Sequence, residues 1–235
     1  MIAHRGASNI APENTLKAFK MAIDLGADCI ELDIHQSKDG ELVVIHDENL
    51  NRITGQNGFI KNFTLEELKS FDFGEGEQIP TLREVIELTL GKINLNCEIK
   101  VEGISNRVID LIKEYEILSS VIISSFIHDE LLKFQKIEPL LKLASLEPNV
   151  YKISYSWEEK RQMIQFCIRN NLYAINPHFP ILDQQFVKFA HKNNIKVFPW
   201  TVDRKHSIKK LIMLNVDGII TNDIVRLKNI LNDEI

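Results

Sequence analysis

The chain alternates short β-branched runs with stretches of helical periodicity from end to end, and this beat narrows its fold more than any other feature. Ile93 to Ile99 reads as a strand. Ser105 to Glu114 then places Val108, Ile109, Leu111 and Ile112 at helical spacing. Val121 to Ser125 is the next strand, followed by a helix near 128–137. Leu140–Leu146, Leu172–Asn176, Ile195–Thr201 and Asp217–Thr221 repeat the strand pattern. Trp157–Asn170, 183–194, 204–214 and 223–232 repeat the helical one. Met163, Phe166 and Cys167 share one helical stripe and read as core.

The amino-terminal part keeps the rhythm with one interruption. Ile2-Ala3 is a minimal strand. Asn14 is positioned to cap a helix over Thr15–Leu25, with Gly26 just past its end. Cys29–Ile34 is a second strand. Lys38-Asp39-Gly40-Glu41 signals a turn before a further extended run, Leu42–Ile45. Residues 48–80 carry scattered Gly, Asn and Phe with a single helix signal, Thr64 capping Leu65–Phe71. Pro80-Thr81-Leu82 opens a helix to about Leu90. The count is eight strand–helix units, and 235 residues over eight units is about 29 each, the repeat of a (β/α)8 TIM barrel. The expectation is one α/β domain over 1–235, with a small insertion after the second strand at about 48–80. An open doubly wound sheet would want a Gly-rich phosphate loop, and Gly6-Ala7-Ser8-Asn9 is not one.

Composition removes several function classes. With 44% hydrophobic residues, 26% charged residues and a net charge of −5, the chain suits a globular protein and no obligatory nucleic-acid binder. Cys29, Cys97 and Cys167 are an odd set without a CxxC, which reads as reduced buried thiols. The opening lacks a basic n-region and an apolar h-region, and no apolar run reaches membrane-spanning length. The expected place is the cytoplasm, with no stable membrane anchor.

In a barrel the chemistry sits at the carboxyl ends of the strands. Those ends carry His4-Arg5, Glu31-Leu32-Asp33, His46-Asp47, Glu98-Ile99-Lys100, Ser125-Phe126, Glu147, Asn176-Pro177-His178, Trp200-Thr201 and Thr221-Asn222, whereas the strand bodies read as apolar. Glu31 and Asp33 are two apart and so face one side of a strand. With Glu98 they make three carboxylates, a hard-cation set suited to Mg²⁺ or Ca²⁺. The competing reading pairs them with Arg5 and Lys100. His4 and His46 are the general acid–base candidates, since imidazole titrates near neutrality. Arg5 and Lys100 suit an anionic, phosphate-bearing ligand. Phe126 and Trp200 could wall its non-ionic part, and His178 could touch it. His35 is expected to face away from Asp33 or to lie in the loop. His128, His191 and His206 are expected at the surface.

These residues, in this order, together with Pro12-Glu13-Asn14-Thr15, Asp39-Gly40, Pro80-Thr81-Leu82 and Trp200-Thr201-Val202, resemble the glycerophosphodiester phosphodiesterases from residue 2 to about 224. The resemblance implies a TIM barrel with an insertion after the second strand. It implies a divalent metal on Glu31, Asp33 and Glu98, His4 and His46 as acid and base, Arg5 and Lys100 on the phosphate, and Glu13 and Asn14 near the mouth. The proline that the family usually carries after the last strand is missing from Thr221-Asn222-Asp223-Ile224-Val225.

The implied reaction converts glycerophosphodiesters, such as glycerophosphocholine or glycerophosphoethanolamine, to glycerol 3-phosphate and an alcohol. The attacker is water or the glycerol 2-hydroxyl, and either histidine fits either role. Two rivals remain. A lysophospholipase D or another lipid phosphodiesterase on the same barrel would need an apolar docking surface, for which loop 148–156, with Tyr151, Ile153, Tyr155 and nearby Trp157, is the one candidate. A degenerate barrel that only binds a phosphorylated ligand is the other.

Overall fold

The computed structural model describes residues 1–150 and 152–233. Its strands are β1 (Ile2–His4), β2 (Cys29–Gln36), β3 (Leu42–Val44), β4 (Asn94–Ile99), β5 (Val121–Ser125), β6 (Lys142–Glu147), β7 (Ala174–Pro177), β8 (Lys196–Val197) and β9 (Ile220–Thr221). Eight of them pair in parallel in the order β8-β7-β6-β5-β4-β2-β1-β9, and β3 joins β2 antiparallel. Backbone bonds flanking β8 and β9 close the ring: Val202 N donates to Ile220 O and Ile220 N to Pro199 O, both at 2.9 Å. The fold is a (β/α)8 barrel. β8 is shorter than the run Ile195–Thr201 predicts, because Pro199 has no N–H to extend the ladder.

Among the described residues eight helices form the outer layer, and their buried faces pack on the apolar outer face of the strands. Thr15, not Asn14, caps the helix Leu16–Asp24, its side chain accepting from Ala18 N. Asn14 takes a left-handed φ of 56° and sends its side chain elsewhere. Capping boxes at Thr81–Glu84 and Ser156–Glu159 start the helices Leu82–Thr89 and Trp157–Arg169 where the sequence places them. Gly6, at φ 82°, lets the loop after β1 lie on this first helix. A Cβ there would stand 2.7 Å from the Ala18 carbonyl carbon.

Val43 of β3 and residues beyond it bury an apolar cluster of their own, completed by Ile45, Leu50, Ile60, Leu68, Phe73 and Ile79. The segment contains more than the one predicted helix. A short helix, Asn51–Thr54, precedes a 3-10 turn and the helix Leu65–Lys69. Four residues ended by Gly55 at φ 71° are too few to show periodicity.

The barrel interior is layered. Ile2, Cys29, Ala144, Ala174, Phe198 and Ile220 pack together toward the amino ends of the strands. Polar side chains lie above them. The strand bodies are therefore less apolar than expected, with Asn96, Ser124, Ser125 and Ser145 all buried. All three cysteines are free and buried. Among the described residues no helix is long and apolar enough to cross a membrane.

Candidate active site

β2 carries Glu31 and Asp33 on one face, and its parallel register sets Asp33 beside Glu98 of β4. β2 runs two residues further than predicted, so both acidic groups lie inside the strand and not at its end. An oxygen from each of Glu31, Asp33 and Glu98 lies within 4.8 Å of the others, and all three residues are buried. Arg5 and Lys100 do pair with this cluster. Lys100 Nζ donates to Glu98 Oε1 at 2.7 Å and stands 3.5 Å from Asp33 Oδ1. Arg5 Nε is 3.4 Å from Asp33 Oδ2, and the Arg5 backbone N–H donates to Glu31 Oε2 at 3.0 Å. Asn14 Nδ2 donates to Asp33 Oδ2 at 2.9 Å.

That pairing leaves the cluster short of positive charge. Burial, with repulsion from Asp33 and Glu98, drives the Glu31 carboxyl well above its ordinary range. Burial and Asp33 push Glu98 up to about 7. Burial alone would raise Asp33 as well, but Lys100 and Arg5 outweigh it and hold that carboxyl below its usual value. Asp33 Oδ1 is buried without a hydrogen-bond partner. Three buried carboxylates, two partly shared cations and an orphaned oxygen fit a hard divalent ion.

His4 stands at the end of β1. Its Nδ1–H donates to Asn222 Oδ1 at 2.7 Å, an oxygen that also accepts from Ser8 Oγ. Asn222 Nδ2 donates to Asp203 Oδ2 at 2.8 Å, which fixes the amide orientation and hence the imidazole tautomer. Nε2 is left with its lone pair, 3.9 Å from Glu31 Oε2. Burial and the Arg5 charge lower its pKa to about 4.

His46 follows β3, and its Nδ1–H donates to Asp47 Oδ1 at 2.6 Å. Arg52 Nε donates to the other Asp47 oxygen, and the same guanidinium grips Glu13 at 2.7 and 3.1 Å. Glu13 in turn accepts from Arg5 Nη1 at 2.9 Å. Although burial opposes ionisation of Asp47, Arg52 and His46 hold it down to about 2. Burial lowers His46 too.

A cavity of about 90 Å³ at the carboxyl ends of the strands is lined by His4, Arg5, Glu31, His46, Glu98 and Lys100, with Phe126 and Trp200 as its aromatic wall. The two rings meet edge to face at 5.6 Å. Among the described residues, Glu13, Asn14 and His178 do not line it. Glu13 is held by the two arginines, Asn14 supports Asp33, and His178 rests against Trp200 at 5.0 Å.

Three expectations need correction. His35 is in β2 and shares Asp33's face, as a spacing of two residues requires. It is buried, and its Nε2–H donates to His46 O at 3.1 Å. His128 is half-buried: its ring stacks on Phe166 at 4.4 Å, and Nε2–H donates to Leu146 O at 3.3 Å. Glu147 lies 3.4 Å from that nitrogen, away from the mouth cavity. His206 is exposed and His191, partly exposed, pairs with Asp217. Arg52, Asp203 and the role of Asn222 escaped the sequence reading. Arg52 lies in an irregular segment with no pattern to mark it, whereas Asn222 shows at a strand end.

The sequence matches the Glycerophosphoryl diester phosphodiesterase family over residues 4–226. It is 45% identical to a glycerophosphodiester phosphodiesterase of Caldanaerobacter subterraneus subsp. tengcongensis, covering 95% of this chain and 93% of that one. The fold matches a glycerophosphodiester phosphodiesterase from Thermotoga maritima with a TM-score of 0.80 at 32% identity, over 95% of this chain and 94% of that one. It also matches a phosphodiesterase from Oleispira antarctica solved in complex with the product sn-glycerol-3-phosphate, with a TM-score of 0.87 at 27% identity, over 98% and 96% of the two chains. The chain belongs to the glycerophosphoryl diester phosphodiesterase family.

Proposed function

We propose that the chain hydrolyses glycerophosphodiesters, such as glycerophosphocholine, to sn-glycerol 3-phosphate and an alcohol. One observation carries the reading: three buried carboxylates and two histidines meet at one barrel mouth in a member of this family. Glu31, Asp33 and Glu98 would hold Mg²⁺ or Ca²⁺, and such an ion supplies Lewis-acid polarisation of the phosphoryl group. His4 acts as the base. Its Nε2 is unprotonated, and a pKa near 4 keeps the ring neutral at pH 7. His46 acts as the acid: burial lowers its pKa, and the hydrogen bond to the Asp47 carboxylate partly offsets that by favouring the charged form, whose proton passes to the leaving alkoxide. Arg5 and Lys100 supply positive charge beside the phosphate oxygens. Phe126 and Trp200 wall the carbon chain. The barrel and the segment 48–80 work as one domain, the latter contributing Arg52. Three buried thiols suit a reducing compartment, and we place the enzyme in the cytoplasm.

Loop 148–156 gives little support to a lipid substrate. Tyr151 lies outside the described residues. The Tyr155 hydroxyl is bound to Val150 O and Lys152 N, and Trp157 packs edge-on to Phe189. Val150 and Ile153 are the apolar side chains it exposes among the described residues. The test compares glycerophosphocholine with lysophosphatidylcholine. Higher kcat/KM on the water-soluble diester is expected; preference for the lyso-lipid would replace this reading with lysophospholipase D.

A further inference from the structure

The outer rim of the barrel is uneven in charge. β9 pairs with β1, and the segments that follow β8, β9 and β1 are tied to one another. Asn9 N donates to Asn222 O at 3.2 Å, Thr221 Oγ1 donates to Asp203 Oδ1 at 2.9 Å, and Arg226 Nη1 donates to Asp203 O at 2.6 Å. The surface they share exposes Ile10 (46%) and Val225 (41%) beside Arg204, Lys205, His206 and Arg226. No acidic side chain is exposed over residues 5–12, 203–206 or 222–226. Asp203 is turned inward onto Thr221 and Asn222, and Asp223, 8% exposed, stands 3.1 Å from Arg226.

Arg204 and Lys205, which pair with no acid among the described residues, are therefore surplus positive charge on a chain whose net charge is −5. They open the helix Lys205–Met213, which has no acidic residue in its first turn and no side-chain cap. The helix Ile224–Asp233 beside it also starts without an acid in its first turn. A helix amino end carries partial positive charge and favours acids, so two cations there oppose the local electrostatics unless an anion adjoins them. The neighbours identify that anion. Half-exposed aliphatic side chains next to Lys and Arg match a lipid–water interface, where the aliphatic groups reach the acyl boundary and the cations meet phosphate headgroups. A single-stranded nucleic acid would want aromatic stacking platforms, and Ile10 and Val225 offer none.

We propose that this sector, where β8, β9 and β1 end, is a docking surface for an anionic phospholipid bilayer, bound reversibly through Arg204 and Lys205 with Ile10 and Val225 seated in the interface. Docking holds the open end of the barrel near the membrane without making a lipid the substrate. It sets where the protein works and is independent of the reaction at its mouth.

Co-sedimentation with vesicles of mixed phosphatidylcholine and phosphatidylglycerol, against vesicles of phosphatidylcholine alone, tests the surface. The wild-type protein should partition onto the anionic vesicles at least ~20-fold more strongly, since each Lys or Arg near such a surface contributes roughly 5-fold. The excess should shrink as salt rises from about 0.01 M to about 0.15 M. The double variant Arg204→Glu, Lys205→Glu should lose that excess. Its Tm should equal or exceed that of the wild type, because acids suit a helix amino end, and its turnover of glycerophosphocholine without vesicles should be unchanged. Ile10→Ser should weaken partitioning onto the anionic vesicles at least ~3-fold while keeping the salt dependence. Equal partitioning onto both kinds of vesicle, no binding to either, or full binding by the double variant would overturn the docking surface. Unchanged binding by Ile10→Ser would remove the apolar contact that selects a bilayer, and would overturn it as well. A wild type that ignores the vesicles but binds a single-stranded oligonucleotide, with loss in the double variant, would make the sector a nucleic-acid surface instead.

Discussion

Two histidines of the same type stand in different surroundings, and those surroundings divide their work. His4 is buried and held as one tautomer by Asn222, which Asp203 holds in turn. His46 is more exposed and backed by a carboxylate. His4→Ala and His46→Ala should each lower kcat by at least ~10², the usual scale of a lost acid or base. Steady-state kinetics on glycerophosphocholine checks this, and near-wild-type turnover by either variant would make that histidine structural. Asn222→Leu should lower kcat by up to ~10² with little change in KM, because the ring is misplaced while the substrate contacts stay. The residues at the strand ends were legible because strand parity decides which side chains share a face. The one parity slip concerned His35, where counting two from Asp33 puts it on that same face. Asn222's partnership was not legible, because it joins positions 218 residues apart.

Most elements were readable from periodicity and caps, with Ser105–Glu114 and Val121–Ser125 matching to the residue. Difficulty lay where local signal and tertiary demand part. Asn14 is a good capping residue by type, yet Thr15 caps and Asn14 serves Asp33. The segment beyond β3 has too few regular residues to display a period. Within it, Arg52 ties Asp47 to Glu13, and through Glu13 to Arg5, so an irregular element steadies both sides of the mouth. Arg52→Ala should lower kcat roughly 10-fold through a loosened His46, and Arg52→Lys should restore only part, since an ammonium cannot bridge two carboxylates with the same geometry. Full rescue by lysine would reduce the network to simple charge balance.

At the scale of the whole molecule, the acidic cluster links metal, protons and stability. Glu98 titrates near 7 and Glu31 sits well above its ordinary value, so the metal-free fold keeps protons that the unfolded chain has released. The stability these protons confer is complete below about pH 4 and fades as pH rises through about 7. Relative to Glu98→Gln, in which the buried histidines and their opposite pH dependence are unchanged, the metal-free protein should therefore lose Tm from pH 5 to pH 8, and the rise in Tm on adding Mg²⁺ should grow over the same interval as protons cease to compete. Thermal melts with EDTA or Mg²⁺ across that range check both signs; a Tm increment that shrinks with pH would contradict them. Glu98→Gln should abolish the increment while leaving the metal-free fold no less stable at pH 8, because an uncharged amide avoids the desolvation of a buried carboxylate. The most direct measurement follows release of sn-glycerol 3-phosphate from glycerophosphocholine by EDTA-treated protein before and after Mg²⁺ or Ca²⁺ is returned. Negligible release that recovers with the ion in the wild type, and fails to recover in Glu31→Gln, is the expected result. Undiminished release in excess EDTA would contradict the account.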